Sequence, residues 1–463
     1  MIPMTLAEIA SAVGGTLAEA DPDATVAGPV EYDHRKLAAG SGGLFLAFPG
    51  ENADGHDFAA AAVAAGAVAA LGSRAVAGVP MIVVADVLTA VGQLARAVLD
   101  RLPDLTVVGI TGSSGKTTTK DMIGQLLAEI GPVVAPAGSL NNELGLPHTV
   151  LMAGEKTRFL VLEMGARGLG HLAYLTGIAP PSIGVVINVG VAHVGEFGSV
   201  EAIAQAKGEL VEALPEDGLA ILNADDPLVA AMAARTKATV WTVGLAENAD
   251  VRAVGVRLDD HGRPAYNLVT AQGETAVTLR LAGAHQVGNS LAAAAVALRA
   301  GLPVAECGRA LSRLGLVSSR RMDVFSRADG VTVIDDSYNA NPGSMAAALN
   351  ALAAMAGNRR TIAVLGYMAE LGGFEREGHE QVGRLAAELG VDLLVAVGAE
   401  AAPFRAGATS VDRWGGEAVQ VSDQEEATAA LRQRLRPGDV VLVKGSRYRT
   451  WRVADGLREE AAA

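Results

Sequence analysis

The stretch Val107-Val108-Gly109-Ile110-Thr111-Gly112-Ser113-Ser114-Gly115-Lys116-Thr117-Thr118 constrains this chain more than any other. A β-branched run enters a glycine-rich turn, which passes directly into a helical pattern through Met122, Leu126 and Leu127. Glycines at 112 and 115 let successive backbone N–H groups converge on one point without interference from Cβ atoms. The helix N-terminus favours an anion at that point, Lys116 adds a mobile positive charge, and the Thr117 hydroxyl is a ligand for Mg2+. Thr111, Gly112, Ser113, Ser114, Gly115, Lys116, Thr117 and Thr118 therefore read as a cradle for the phosphates of a nucleoside triphosphate. An ordinary Gly/Ser turn before a helix is the plainer alternative, and the strand–loop–helix context weighs against it. Ile110 takes the place of the first glycine of the common pattern, so the effective loop is Thr-Gly-Ser-Ser-Gly-Lys-Thr.

A loop of this kind needs a parallel sheet behind it, and the chain has room for several. Its 463 residues exceed what one core spans, so two to three domains of about 100–200 residues are expected. Half the residues are hydrophobic but only 4% are aromatic, so Val, Leu, Ile and Ala must fill the cores. A formal charge of −14 argues against a nucleic-acid partner while leaving room for a small anion held by local basic groups. The single Cys307 rules out an intramolecular disulfide and a Cys-based zinc cage, and reads as a small core hydrophobe. The N-terminus lacks the features of a signal peptide. The longest apolar run, Phe58 to Gly72, is too short and too rich in Ala and Gly to span a bilayer. A soluble, cytoplasmic chain is expected.

Residues 1–103 combine a helix near Thr5–Val13, strand-like pieces at 24–30 and 44–47, an Ala-rich helix at 58–65 and an apolar strand at 80–84. Pro103-Asp104 marks a boundary. Residues 104–314 read as α/β, with continuous apolar strands at 105–110, 159–164, 183–189 and 219–222, as in a parallel sheet covered on both faces. The alternating stretch 250–281 reads as an antiparallel edge or hairpin. From 315 to 463 the alternation restarts, with strands at 331–334, 361–365, 393–397 and 440–443, a second doubly wound unit.

In such folds functional groups collect past the carboxyl ends of strands. Glu163 ends one apolar strand and suits Mg2+, His193 follows the next, and Lys207 sits in a helix within Ala-Gln-Ala-Lys-Gly-Glu-Leu. A solvated strand-end Glu, a hydrogen-bonded loop His and a surface Lys are the ordinary alternatives. Their joint occurrence downstream of the phosphate loop favours function. Asp335-Asp336-Ser337-Tyr338-Asn339-Ala340-Asn341-Pro342 closes another strand with unusual polarity, the alternative being an Asn/Asp-rich helix cap. Arg320-Arg321 can present a guanidinium to phosphate, and Lys444-Gly445-Ser446-Arg447 is a basic loop after the last strand.

Taken together these motifs resemble the Mur ligases, the ATP-dependent amide-forming family of peptidoglycan synthesis. The phosphate loop, Asn141-Asn-Glu-Leu-Gly-Leu-Pro147, Asn188-Val-Gly-Val-Ala-His193, Ala206-Lys-Gly-Glu209, Leu222-Asn-Ala-Asp-Asp226 and Gly283-Ala-His-Gln-Val-Gly-Asn289 carry the resemblance. Asp335 to Pro342 resembles the branch that adds D-Ala-D-Ala to a UDP-MurNAc-tripeptide. The resemblance implies three domains: an N-terminal one for the UDP-sugar (1–103), a central ATPase with a mainly parallel sheet (104–314) and a C-terminal Rossmann-like one (315–463). It also implies ATP and Mg2+, with Thr117, Glu163, His193 and a carbamylated Lys207 at the metals and Lys116 on the phosphates. His285 and Asn289 would lie by the adenine, and Arg321 and Asp336 would reach the nucleotide from the C-terminal domain. Asp33, Arg35, Asn141, Asn142, Asn339, Asn341, Lys444 and Arg447 would contact the two substrates, in a monomer. Where the family reads Asp-Ser-Arg this chain has Asp33-His34-Arg35, an imidazole in place of a small hydroxyl. Another ligase of the superfamily, such as folylpolyglutamate synthase, and a regulatory nucleotide switch are the competing readings. The retained Glu163, His193 and Lys207 disfavour the switch.

Overall fold

The computed structural model describes residues 1–50, 53–190, 194–446 and 449–462. The N-terminal block carries β1 (Met4–Thr5), β2 (Thr16–Ala18), β3 (Thr25–Val26), β4 (Val30–Glu31), β5 (Gly43–Ala47), β6 (Ala67–Gly72) and β7 (Met81–Val83). β1 and β3 pair antiparallel, and the rest form one sheet in the order β2-β7-β6-β5-β4. The run from Phe58 to Gly72 is not one element. It divides into the helix Ala59–Ala64 and the buried central strand β6. Burial between β5 and β7 overrides the helical preference of Ala there.

The middle of the chain forms a nine-stranded sheet from β8 (Thr106–Thr111), β9 (Val133–Val134), β10 (Phe159–Glu163), β11 (Ile183–Val186), β12 (Leu219–Asn223), β13 (Thr239–Gly244), β14 (Val251–Leu258), β15 (Pro264–Thr270) and β16 (Gly273–Thr278). Its order is β16-β15-β14-β13-β12-β11-β8-β10-β9. Pairs from β9 to β14 are parallel, and β14-β15-β16 turn antiparallel, as the alternation over 250–281 implies. β8, β10, β11 and β12 are almost wholly buried because helices cover both faces. Cys307 lies in the core on one face, where burial pushes its thiol pKa up to about 12.

The last block builds a six-stranded sheet from β17 (Asp323–Ser326), β18 (Thr332–Asp335), β19 (Thr361–Gly366), β20 (Leu393–Val397), β21 (Glu417–Val421) and β22 (Val440–Lys444), ordered β17-β18-β22-β19-β20-β21. All pairs but β17–β18 are parallel. The register sets Asp335 beside Val443, so Asp336 and Lys444 emerge together at the carboxyl edge.

On this sheet the helices Glu375–Glu388 and Ala402–Thr409 touch backbone to backbone. A Cβ on Gly383 would fall on the Phe404 carbonyl, and one on Gly407 on the Glu380 carbonyl. Gly383→Ala or Gly407→Ala is therefore expected to cost about 1–3 kcal/mol and lower Tm. A thermal melt matching that of the unaltered chain would mean the two helices part freely.

Candidate active site

β8 delivers the phosphate loop to the carboxyl edge of the central sheet. Gly115 caps the helix Lys116–Leu127 with φ 81°, and a Cβ there would lie 2.6 Å from Asn289 Oδ1, so glycine is required twice over. Asn188, just past β11, shapes the loop. Its Oδ1 accepts the N–H groups of Ser113 (2.9 Å) and Ser114 (3.0 Å), while its Nδ2 donates to Ser114 O (3.2 Å). Gly190 N donates to Ser113 Oγ at 2.8 Å. Lys116 Nζ arches over the loop onto Gly112 O at 2.7 Å. Ser113 to Thr118 line the cavity, but Thr111 and Gly112 do not. Thr111 is fully buried as the last residue of β8, so it supports the loop from behind.

Glu163, the last residue of β10, is buried and accepts three donors. These are Thr117 Oγ1 at 2.8 Å on Oε2, and Ser139 Oγ at 2.7 Å and Asn141 Nδ2 at 2.8 Å on Oε1. Lys120 draws in the segment carrying Ser139, donating to Gly138 O at 2.8 Å and to Pro136 O. Asn142 Oδ1 accepts Gly145 N at 2.8 Å and so holds the helix behind it. Among the described residues no cluster of three or more His, Cys, Asp or Glu side chains forms a metal cage. Mg2+ does not need one, because it keeps several waters and takes phosphate oxygens. The paired hard oxygens of Thr117 and Glu163 beside the phosphate loop fit such an ion.

Lys207 projects into the same cavity from the helix Val200–Glu212. It is 4% exposed and makes no hydrogen bond or ion pair among the described residues. Burial, and secondarily the Lys116 charge, hold its pKa well below that of an ordinary lysine. Burial likewise lowers Lys116, with Glu163 opposing the shift and Arg321 adding to it. Two residues beyond Lys207, Glu209 accepts Gly170 N (2.6 Å) and Ala173 N (3.0 Å), gripping the start of the helix His171–Ile178. Asp226 accepts Val189 N at 2.8 Å and steadies the segment after β11.

The last sheet closes the cavity. Arg321 Nη2 donates to Thr117 Oγ1 at 2.9 Å, and its guanidinium lies 4.0 Å from the centre of the Tyr338 ring. Lys444 Nζ donates to Asp336 Oδ2 at 2.5 Å and to Asn339 O at 3.0 Å. Asn341 also lines the cavity, while its Oδ1 accepts Ser344 N at 2.9 Å and caps the helix Pro342–Ala356. The helix-cap role raised by the sequence is thus real for Asn341. His285 and Asn289 line the wall at the start of the helix Gln286–Arg299.

The result is one cavity of about 610 Å3 that gathers Lys116, Thr117, Glu163, Lys207, Asn141, Asn142, His285, Asn289, Arg321, Asp336, Asn339, Asn341 and Lys444. Asp33 and Arg35 lie elsewhere, in the N-terminal block, joined by a bidentate pair at 2.8 Å, and the His34 ring stacks on Phe58 at 5.2 Å. His193 and Arg447 fall outside the described residues. The sequence assigned no role to Ser139, Arg167, Asn188 or Asp226. Asn188 and Asp226 were within reach, since both sit in quoted motifs. Ser139 and Arg167 carried no signal.

Strand, glycine loop, helix and a buried carboxylate on the next strand define a nucleoside-triphosphate site shared between two sheets. The chain matches the models of the Mur ligase family catalytic domain over residues 30–99, the Mur ligase middle domain over 110–297 and the Mur ligase glutamate ligase domain over 320–447. It is 51% identical, over 96% of each chain, to the UDP-N-acetylmuramoyl-tripeptide–D-alanyl-D-alanine ligase of Mycobacterium tuberculosis. Its fold is similar to that of the UDP-N-acetylmuramoylalanyl-D-glutamyl-2,6-diaminopimelate–D-alanyl-D-alanyl ligase of Acinetobacter baumannii, with TM-score 0.84, 31% identity and coverage of 100% and 99%. It is also similar to the MurF ligase of Thermotoga maritima in complex with ADP, with TM-score 0.79, 30% identity and coverage of 94% and 98%. The chain belongs to the Mur ligase family.

Asn188→Ala leaves the Ser114 N–H without its acceptor, while the Ser113 N–H keeps only the Asn188 main-chain carbonyl at 3.1 Å. A loss of about 1–3 kcal/mol in stability and weaker ADP binding are expected, read by denaturant melts and calorimetry. Unchanged ADP affinity would show that the loop keeps its shape without Asn188.

Proposed function

We propose that this chain is an ADP-forming ligase that joins D-Ala-D-Ala to UDP-MurNAc-tripeptide in peptidoglycan precursor synthesis. The observation that carries the reading is the single cavity in which the phosphate loop faces the polar run Asp336–Asn341 and Lys444. The 51% identity to a ligase of that name supports the choice of substrates. Residues 1–103 are assigned to the UDP-sugar, with Asp33 and Arg35 as contacts, residues 104–314 to ATP and residues 315–463 to the dipeptide. The chain is assigned to act as a monomer. No described helix is long and apolar enough to cross a membrane, and the reading sets the enzyme in the cytoplasm.

A carboxylate oxygen of the tripeptide attacks the γ-phosphorus, and the bond to the β-phosphate oxygen breaks, giving an acyl phosphate and ADP. The dipeptide amine then attacks the acyl carbon, losing a proton, and phosphate leaves. Lys116 and the N–H groups of the loop bind the phosphates and stabilise the charge that develops on them. Arg321, just before the last sheet, and Lys444, at the end of β22, orient the nucleotide and the dipeptide and help to exclude water from the acyl phosphate. Thr117 and Glu163, with His193 and a carbamylated Lys207, are assigned to Mg2+, which draws charge from the phosphates when bound. The carbamate forms when the neutral Lys207 amine adds to CO2 and releases a proton.

Phosphate release with ATP, Mg2+ and UDP-MurNAc-tripeptide is expected with D-Ala-D-Ala and not with single amino acids. Release with a single amino acid assigns another step of the family, and no release favours the switch. AMP among the products would exclude the acyl-phosphate scheme.

Lys207→Met is expected to abolish turnover without lowering Tm, since it removes an unpaired buried amine. Full activity in that variant would end the ligand role. The pKa of Lys207 is depressed, so the amine is neutral above that lowered value and protonated as pH falls through it. Turnover is expected to drop on that acid limb, and added bicarbonate to shift the drop to lower pH. A limb indifferent to bicarbonate would count against the carbamate.

A further inference from the structure

We propose that Arg167 is a specificity-determining residue that binds a non-reacting carboxylate on the peptide arm of the acyl substrate, an inference that rests on the ligase reading above. Arg167 lies in the segment after β10 and lines the cavity. Its guanidinium is exposed and makes no hydrogen bond or ion pair among the described residues. The other cations of the wall are engaged or enclosed. Lys116 lies on Gly112 O, Arg321 on Thr117 and Tyr338, Lys444 on Asp336, and Lys207 is buried.

The backbone that carries Arg167 is held firmly. Gly165 N donates to Asn141 O at 2.8 Å, and Glu209 fixes Gly170 and Ala173. Arg167 N donates to His171 Nδ1 at 3.2 Å, so the His171 proton sits on Nε2, which faces Glu143 Oε1 at 3.1 Å. A free guanidinium on a braced segment is preorganised for a bidentate anion.

Its position says which anion. β10 lies on one side of β8, and β11, β12 and β13 lie on the other with the wall residues Asn223 and Val243. The helix His171–Ile178, which begins four residues after Arg167, shares a core with the helices Gly145–Val150 and Val87–Asp100, the latter of the N-terminal block. Arg167 therefore stands between the phosphate loop and the block assigned to the UDP-sugar, on the path of the peptide arm. The ligase of Acinetobacter baumannii is named for an arm containing D-glutamyl and 2,6-diaminopimelate, both dicarboxylic. An arm of that chemistry keeps a carboxylate after another is activated.

Calorimetry of UDP-MurNAc-tripeptide binding to the full chain tests this, beside Arg167→Ala and Arg167→Lys. Arg167→Ala is expected to weaken binding by about tenfold to a hundredfold and to leave ADP affinity unchanged, and Arg167→Lys to restore part of the loss. Amidating the non-reacting carboxylates of the arm is expected to weaken binding to the unaltered protein and to make no difference to Arg167→Ala. If Arg167→Ala binds the free arm as the unaltered protein does, or loses equally on free and amidated arms, the proposal is wrong while the ligase reading stands. If the unaltered protein does not bind UDP-MurNAc-tripeptide, the ligase reading itself fails and takes the proposal with it.

Discussion

The buried carboxylate of Glu163 organises the site, because a charge held at 3% exposure must have its oxygens satisfied by fixed donors. Thr117 comes from the phosphate-loop helix, while Ser139 and Asn141 come from the segment after β9. Arg321, from the start of the last block, donates to the same Thr117 hydroxyl. One chain of hydrogen bonds thus runs from the last block through the phosphate loop to β10. Thr117 is the one side-chain donor given to Oε2, whereas Ser139 and Asn141 share Oε1, so loss of the Thr117 hydroxyl leaves a buried oxygen unsatisfied.

Local charge runs against the charge of the whole. The chain is strongly acidic, yet its cavity is lined by Lys116, Arg167, Lys207, Arg321 and Lys444, faced by Glu163, Asp336 and Glu370. An acidic exterior repels polyanions, while the enclosed cations act at short range on a small anion. The same crowding depresses Lys207, since a buried amine near Lys116 is less costly neutral than charged.

The phosphate loop and Glu163 were legible because each is a short local pattern with one physical meaning. Lys207 was visible only through its motif, as nothing in its helix marks it as buried. The Asp336–Lys444 pair spans 108 residues and follows from the β18–β22 register, which the sequence names residue by residue but does not join. Asn188 and Ser113 lie 75 residues apart, and an amide acceptor carries no compositional signature. The strand β6 was hidden in an Ala-rich run, β9, β17 and β21 are sheet-edge strands, where apolar runs are short or broken, and the interior β13 mixes Thr with apolar residues. Tertiary pairing decides such segments more than propensity does.

The cores explain how the site opens onto a seam. The N-terminal helix Val87–Asp100 and the central layer share one apolar cluster, while the last sheet has two clusters of its own and takes only Ala282 from the middle of the chain. Hydrogen bonds fasten the connection that crosses the second boundary. Gln125 brackets Gly315 with two hydrogen bonds, Asp121 accepts Ser318 N, and Ser318 Oγ accepts Gly138 N. The connection up to Ser318 is therefore fastened to the phosphate-loop helix. Immediately beyond it Arg320 and Met322 take left-handed φ values of 62° and 53° on either side of Arg321. Such residues store about 1–3 kcal/mol each. Arg321 sits within this bend and reaches back to Thr117, while Asp336 and Lys444, paired with each other, belong to the sheet beyond it.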